Sequence, residues 1–227
     1  MVDDRFAEAR RRLILEIEQE AAVTEPWTGR SRFAPAVMAA IARVPRHEFV
    51  ATTERDIAYA NRPLPIGHGQ TISQPYIVAV MTDLLDIAPG DRVLEIGTGC
   101  GYQAAVLAEL AKEVFSVEVV PTLAAAARER LIRLGYRNVS IRVGDGYDGW
   151  PEHAPFDGII VTSAPPRIPD RLAEQLRPGG RLVIPVGAAG ETQMLFRCEK
   201  TSDGAITKEA KLPVAFVPMV PAGPAVE

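Results

Sequence analysis

The segment Val93–Gly101, Val-Leu-Glu-Ile-Gly-Thr-Gly-Cys-Gly, constrains this chain more than any other. A short apolar run meets glycines at 97, 99 and 101, and an Ala/Leu-rich stretch, Gln103 to Leu110, then reads as a helix. Strand, glycine turn and helix is the arrangement by which an α/β fold presents bare backbone N–H groups to a ligand. Glycine supplies the φ values and the missing side chain that close approach requires. Glu95 is the odd member, a buried acid at the mouth of the turn. A carboxylate there suits a cationic ligand and would repel a dinucleotide phosphate.

The rest of the chain agrees with that opening. Val114–Val117 is β-branched and ends at Glu118, and Pro121–Leu134 is helical and closed by Gly135. Val139–Val143 ends at Gly144-Asp145-Gly146, and Phe156–Thr162 is a continuous apolar strand. Asp170–Leu176 reads as a short helix, Arg177–Gly180 as a turn and Leu182–Val186 as a fifth strand. Strands alternating with helices predict an α/β fold with a doubly wound, mostly parallel, Rossmann-like sheet. Residues 192–199 and 212–220 read as an antiparallel pair at its edge.

Upstream, residues 3–22 space Phe6, Leu13, Ile14, Ile17 and Ala21 three or four apart, an amphipathic helix that Pro26 and Gly29 should end. A second helix covers Ala34–Ala42. Residues 59–75 hold three prolines and two glycines and read as irregular, which inside a domain usually marks function. Residues 76–87 return to helix. The expected organisation is an N-terminal helical region and substrate loop, 1–75, packed on a core, 76–227, as one domain overall.

Bulk properties narrow the function. With 227 residues, 47% hydrophobic and 24% charged, the chain can bury its own core. A net charge of −4 gives no basic face for nucleic acid. Cys100 and Cys198 are too far apart in sequence to suggest a disulfide or metal pair. No apolar run approaches the ~20 residues that span a bilayer, and the start lacks a basic n-region with an apolar stretch. The expectation is a cytoplasmic protein, a monomer for all the sequence demands, with neither nucleic acid nor membrane as partner.

Gly-x-Gly-x-Gly with an acid two residues upstream resembles the first motif of S-adenosylmethionine-dependent methyltransferases, not the Gly-x-Gly-x-x-Gly dinucleotide fingerprint. In doubly wound sheets ligands sit beyond the carboxyl ends of the strands. Gly97-Thr98-Gly99, Glu118, Asp145-Gly146 and Thr162-Ser163-Ala164 all fall at such ends. Glu118 is placed to accept both ribose hydroxyls, and Asp145 an adenine amino group, with Gly146 leaving room for the ring. Taken singly, Glu118 could be a solvated loop acid and Asp145 a turn residue. Glu95 fits the orienting of the glycine loop and the ligand's charged amino-acid end better than acid/base work. A sulfonium methyl is attacked in line, so catalysis is chiefly positioning and exclusion of water. His47, His68 and His153 are scattered and read as turn or surface residues. No base stands out, which fits an acceptor already ionised at pH 7, a carboxylate with pKa near ~4.

Gly69-Gln70-Thr71-Ile72-Ser73-Gln74-Pro75 goes further, because generic methyltransferases lack it. With Val44–Val50, Val93–Gly101, Gly144–Gly146, Ala154–Asp157, Gly179-Gly180 and Phe216–Pro218, it is similar to the protein-L-isoaspartate O-methyltransferase family over nearly the whole chain. The resemblance implies methyl transfer from S-adenosylmethionine to L-isoaspartyl, and less efficiently D-aspartyl, carboxylates of damaged proteins, leaving S-adenosylhomocysteine and needing no metal. It gives Ser73 the catalytic role, physically that of an orienting donor; the plainer reading is a helix cap before Tyr76, and the two roles can coexist. It places Thr71 and Ile72 beside the cofactor, with Val119 next to Glu118, and Gln74 toward the substrate. Phe216-Val217-Pro218 would pair with the peptide, unless it is an ordinary edge strand. Gly97, Thr98, Gly99 and Gly101 carry the cofactor turn. Cys100, His68 and Ala215 depart from the expected Ser, Tyr and Arg. The family also tends to order its last strands differently from other methyltransferases. Two rivals remain: a carboxyl methyltransferase of a dedicated peptide, and a non-catalytic S-adenosylmethionine-binding adaptor.

Overall fold

The computed structural model describes residues 5–188 and 190–223. The chain opens with helices α1 (Ala7–Thr28) and α2 (Pro35–Arg43), then a small hairpin of β1 (Leu64–Gly67) and β2 (Gln70–Ile72). Helix α3 (Pro75–Leu85) leads into β3 (Arg92–Ile96), α4 (Tyr102–Ala108), β4 (Glu113–Glu118), α5 (Pro121–Arg133) and β5 (Val139–Val143). Then come β6 (Phe156–Val161), α6 (Asp170–Glu174), β7 (Leu176–Val186), β8 (Gln193–Lys200) and β9 (Ile206–Val214).

Seven strands form one sheet in the order β5-β4-β3-β6-β7-β8-β9. The first five lie parallel, and β8 and β9 add on antiparallel in chain order. Val93, Leu94, Ile159, Ile160 and Val161 are fully buried. Strands covered on both faces need no polar alternation, which is why these segments are continuous apolar runs. One apolar layer joins α1–α4 to the sheet from Leu13 to Val214; the other holds Phe115, Phe156, Leu172 and Ile184 on the opposite face. Chain order reverses between β3 and β6, so a crevice opens there, at the carboxyl ends.

Four expectations need correction. Helix α1 does not stop at Pro26 but runs to Thr28, where Gly29 closes it in the left-handed region at φ 71°. A proline in the last turn forfeits only one helical bond, and the Thr24 and Thr28 hydroxyls tie back to carbonyls of the preceding turn. The 59–75 stretch is not wholly irregular, since it contains the hairpin, turned by Gly67, His68 and Gly69, all at positive φ. Arg177–Gly180 is no separate turn but an irregularity within β7, where pairing with β6 jumps from Phe156–Leu176 to Gly158–Arg181. The last strand is 206–214, not 212–220; beyond it Pro218 makes only an isolated parallel bridge to Ala164. Residues 3 and 4 of the expected first helix, and 224–227 of the tail, lie outside the described residues.

Candidate active site

The glycine turn hangs from the end of β3. Gly97, Gly99 and Gly101 take φ of 95°, 53° and 88°. At Gly97 a Cβ would lie 2.4 Å from Thr162 Oγ1, and at Gly101 it would press on Ala127 and Leu131. Packing therefore demands these glycines independently of any ligand. Thr162, at the end of β6, donates its hydroxyl to the Gly97 carbonyl at 2.7 Å and locks the turn to the neighbouring strand.

Glu118 ends β4. One carboxylate oxygen accepts the Gly99 N–H at 2.7 Å, and the other accepts the Val120 N–H at 3.0 Å. Each oxygen keeps a second lone pair for a ligand hydroxyl. Asp145 accepts the Tyr147 N–H at 2.8 Å and, unexpectedly, the Ala222 N–H at 2.9 Å from the C-terminal segment. Glu95 is fully buried behind the turn, accepting from Ser116, whose hydroxyl also meets Thr98. Burial pushes the Glu95 carboxyl up to about 8, against the opposing Ser116 bond.

Three cavities meet at the switch point. One is lined by Gly97, Gly99, Glu118, Val119, Gly146, Thr162 and Met219. A second, small one lies between Ile72-Ser73 and Thr98–Cys100, with Tyr102 and Gln103 behind. The third, of about 490 Å³, is walled by Glu20, Ser73, Gln74, Tyr76, Phe216 and Val217. Thr71 and Thr162 line all three. Of the sequence-expected residues, Thr71, Ile72, Ser73, Gln74, Gly97, Thr98, Gly99, Glu118, Val119, Gly146, Phe216 and Val217 reach these walls. Glu95, Gly101 and Asp145 line none of the three.

The local geometry at Ser73 bears on the cap alone. Ser73 does not cap α3: Gln74 stands at the cap position, and the Tyr76 N–H donates instead to Asn61 Oδ1 at 3.0 Å. Among the described residues the Ser73 hydroxyl has no partner. The 216–218 segment is less open than a docking strand should be. Gln193 takes both the Phe216 N–H, at 2.6 Å, and the Phe216 carbonyl, at 3.1 Å. Ala164 takes the Val217 carbonyl. Of the two N–H groups of that pair, only the one of Val217 stays available to a peptide. Thr162 was expected only as one of the strand ends, with no role of its own; Asn61 and Gln193 were missed, and no motif or periodicity marks them.

His47 and His153 are half-buried against Phe6 and Phe115 rings, and exposed His68 meets Thr122. No three His, Cys, Asp or Glu among the described residues are placed to hold a metal ion. No described helix is long and apolar enough to cross a membrane.

A Rossmann-like sheet with a glycine turn, a strand-end acid and a cleft over the switch point defines an S-adenosylmethionine-dependent methyltransferase. The family model for protein-L-isoaspartate(D-aspartate) O-methyltransferase matches residues 19–223. The chain belongs to that family, and it is a protein-repair enzyme that methylates the carboxylate of isoaspartyl residues. It is 56% identical over 217 residues to protein-L-isoaspartate O-methyltransferase 2 of Syntrophobacter fumaroxidans, covering 96% of this chain and 88% of that one. To protein-L-isoaspartate O-methyltransferase 1 of Cupriavidus necator it is 55% identical, covering 96% and 84%. A solved protein-L-isoaspartate O-methyltransferase superposes with a TM-score of 0.80 at 29% identity, over 92% of this chain and 65% of that one. A Plasmodium falciparum protein solved with S-adenosyl-L-homocysteine shares the fold, with a TM-score of 0.77 at 24% identity, over 93% and 98%.

Proposed function

We propose that methyl transfer takes place where the three cavities meet, with Ser73 donating the hydrogen bond that orients the acceptor carboxylate. The observation that carries this is the uncommitted Ser73 hydroxyl on the wall shared by the small cavity and the 490 Å³ one. S-adenosylmethionine, when bound, supplies an electrophilic methyl group. Glu118 and Val119 hold its ribose side, Gly146 its adenine, and Gly97, Thr98 and Gly99 its amino-acid end, with Thr71 and Ile72 closing from the hairpin. Glu95, Gly101 and Asp145 act from behind: the first two shape the turn, and Asp145 fixes the backbone beside Gly146. Gln74, Phe216 and Val217 receive the peptide. An isoaspartyl carboxylate is ionised at pH 7, its pKa near ~4, so orientation and water exclusion suffice and no base or metal is called for. The same reading takes D-aspartyl carboxylates as a second substrate and has the enzyme act as a cytoplasmic monomer on damaged proteins alone. Residues 1–75 serve as the substrate-side layer on the 76–227 core.

The test is transfer from labelled S-adenosylmethionine to an isoaspartyl peptide, beside its aspartyl twin. Base-labile label should appear in the isoaspartyl peptide alone. Ser73→Ala should lose a charge-assisted bond of about 1.5–3 kcal/mol, a fall of roughly 10–100-fold in turnover. Cofactor binding without transfer to either peptide would sink the proposal.

A further inference from the structure

Arg46 is wholly buried. Its Nε donates to the Ala58 carbonyl at 2.8 Å, and its Nη2 donates to the Ser73 carbonyl, also at 2.8 Å. Its guanidinium carbon lies 4.8 Å from the Tyr102 ring centroid. The titratable groups facing it are Tyr102, Cys100 and Tyr59, none of them a carboxylate; burial pushes the Tyr102 hydroxyl and the Cys100 thiol up, and the Arg46 Nη1 has no hydrogen-bond partner. A buried cation without a counter-ion is strongly disfavoured. Two of the groups Arg46 touches, Ser73 and Tyr102, wall the small cavity between the Ser73 loop and the glycine turn. The residues lining that cavity bring no cation of their own. On the proposed site, the amino-acid end of S-adenosylmethionine would enter there with its carboxylate.

We propose that Arg46 is a positioning residue for methyl transfer. It fixes the main chain at Ser73, and its charge is balanced by the carboxylate of the cofactor's amino-acid end. This rests on the Ser73 loop being the methyl-transfer site.

The test compares the affinities of S-adenosylhomocysteine and of the same thioether lacking only its carboxylate, by calorimetry. In the unaltered protein the decarboxylated ligand should bind at least roughly tenfold more weakly; equal binding overturns the proposal without any variant. Arg46→Met should remove most of that difference while leaving the decarboxylated ligand within about threefold. Equal weakening of both ligands would mark a merely structural residue and overturn it. Arg46→Lys should restore the difference yet keep a lowered kcat, because an ammonium cannot span the Ala58 and Ser73 carbonyls in the same fork. An Arg46→Lys kcat equal to the unaltered enzyme overturns the positioning half. If Ser73→Ala leaves turnover intact, the site assignment fails instead, and the ligand comparison still reads the charge.

Discussion

Glu95 shows how far position can change a residue's chemistry. Folded, its carboxyl holds its proton to about pH 8, whereas an unfolded glutamate releases it near 4.5. Between those values the folded state binds more protons. The stabilising contribution is therefore complete below pH 4.5 and is lost as pH rises toward 8, at no more than about 1.4 kcal/mol per pH unit. Glu95→Gln, isosteric and uncharged, should flatten that decline; denaturant titrations of both proteins at pH 6 and pH 9 read it, and parallel losses would mean that the carboxyl ionises inside the fold. Two glycines allow backbone strain to be separated from crowding. Gly135 has φ +90° with open space around it, so Gly135→Ala should cost only the left-handed penalty of about 1–2 kcal/mol. Gly97 has φ +95° and Thr162 at 2.4 Å, so Gly97→Ala should cost about 2–4 kcal/mol and weaken cofactor binding as well. Equal destabilisation by urea would show that the Thr162 contact yields freely.

At the scale of elements, the segment after β9 is held at Phe216 by one side chain, and at Val217 and Met219 by the bridge to Ala164. Gln193 occupies both backbone groups of Phe216 in the manner of a missing strand neighbour. Gln193→Leu should leave β8 and the Ala164 bridge paired but free the main chain at Phe216, raising KM for an isoaspartyl peptide several-fold while the KM for S-adenosylmethionine changes little. A rise in the cofactor KM alone would place the effect on the wrong side of the site. This segment also shows where reading the sequence fails. The inner parallel strands β3, β4 and β6 were legible because burial writes them as apolar runs, and each was found within a residue or two, whereas residues 176–180 of β7 read as the end of a helix and a turn. Strand β9 was not, because Thr207–Ala210 is exposed at the sheet edge and carries Lys208 and Glu209, so the apolar signal begins only at Leu212. The hairpin is hidden by its brevity and by three positive-φ residues at its tip. Ser73, Glu118 and the glycine turn were legible because each sits at a strand end or in a motif. The Arg46–Ser73 and Gln193–Phe216 contacts were not, since partners 27 and 23 residues apart leave no periodic trace.

The whole molecule closes its site from both directions of the chain. The hairpin brings Thr71 and Ser73 from the N-terminal region, the strands bring Gly97, Glu118 and Thr162, and Val217 and Met219 arrive last. All of them belong to or rest on apolar layers shared with the sheet, since the layer containing Leu13 and Ile17 on α1 also contains Val214. Ile72 lies in that layer too, and Met219 in the other, so neither wall of the cleft is an appendage. A ligand in the cleft should accordingly stabilise elements far apart in sequence. S-adenosylhomocysteine at one hundred times its Kd should raise global stability by about 2.7 kcal/mol. Hydrogen exchange should slow together in three places: the Gly99 amide on Glu118, the Met219 amide on the Ala164 carbonyl, and the hairpin amides around Thr71. The β8–β9 turn at 201–205, which lines none of the three cavities, should show only the change that global stability imposes. Protection confined to the glycine turn would mean that hairpin and tail do not close on the ligand, and that the cleft is built from the sheet edge alone.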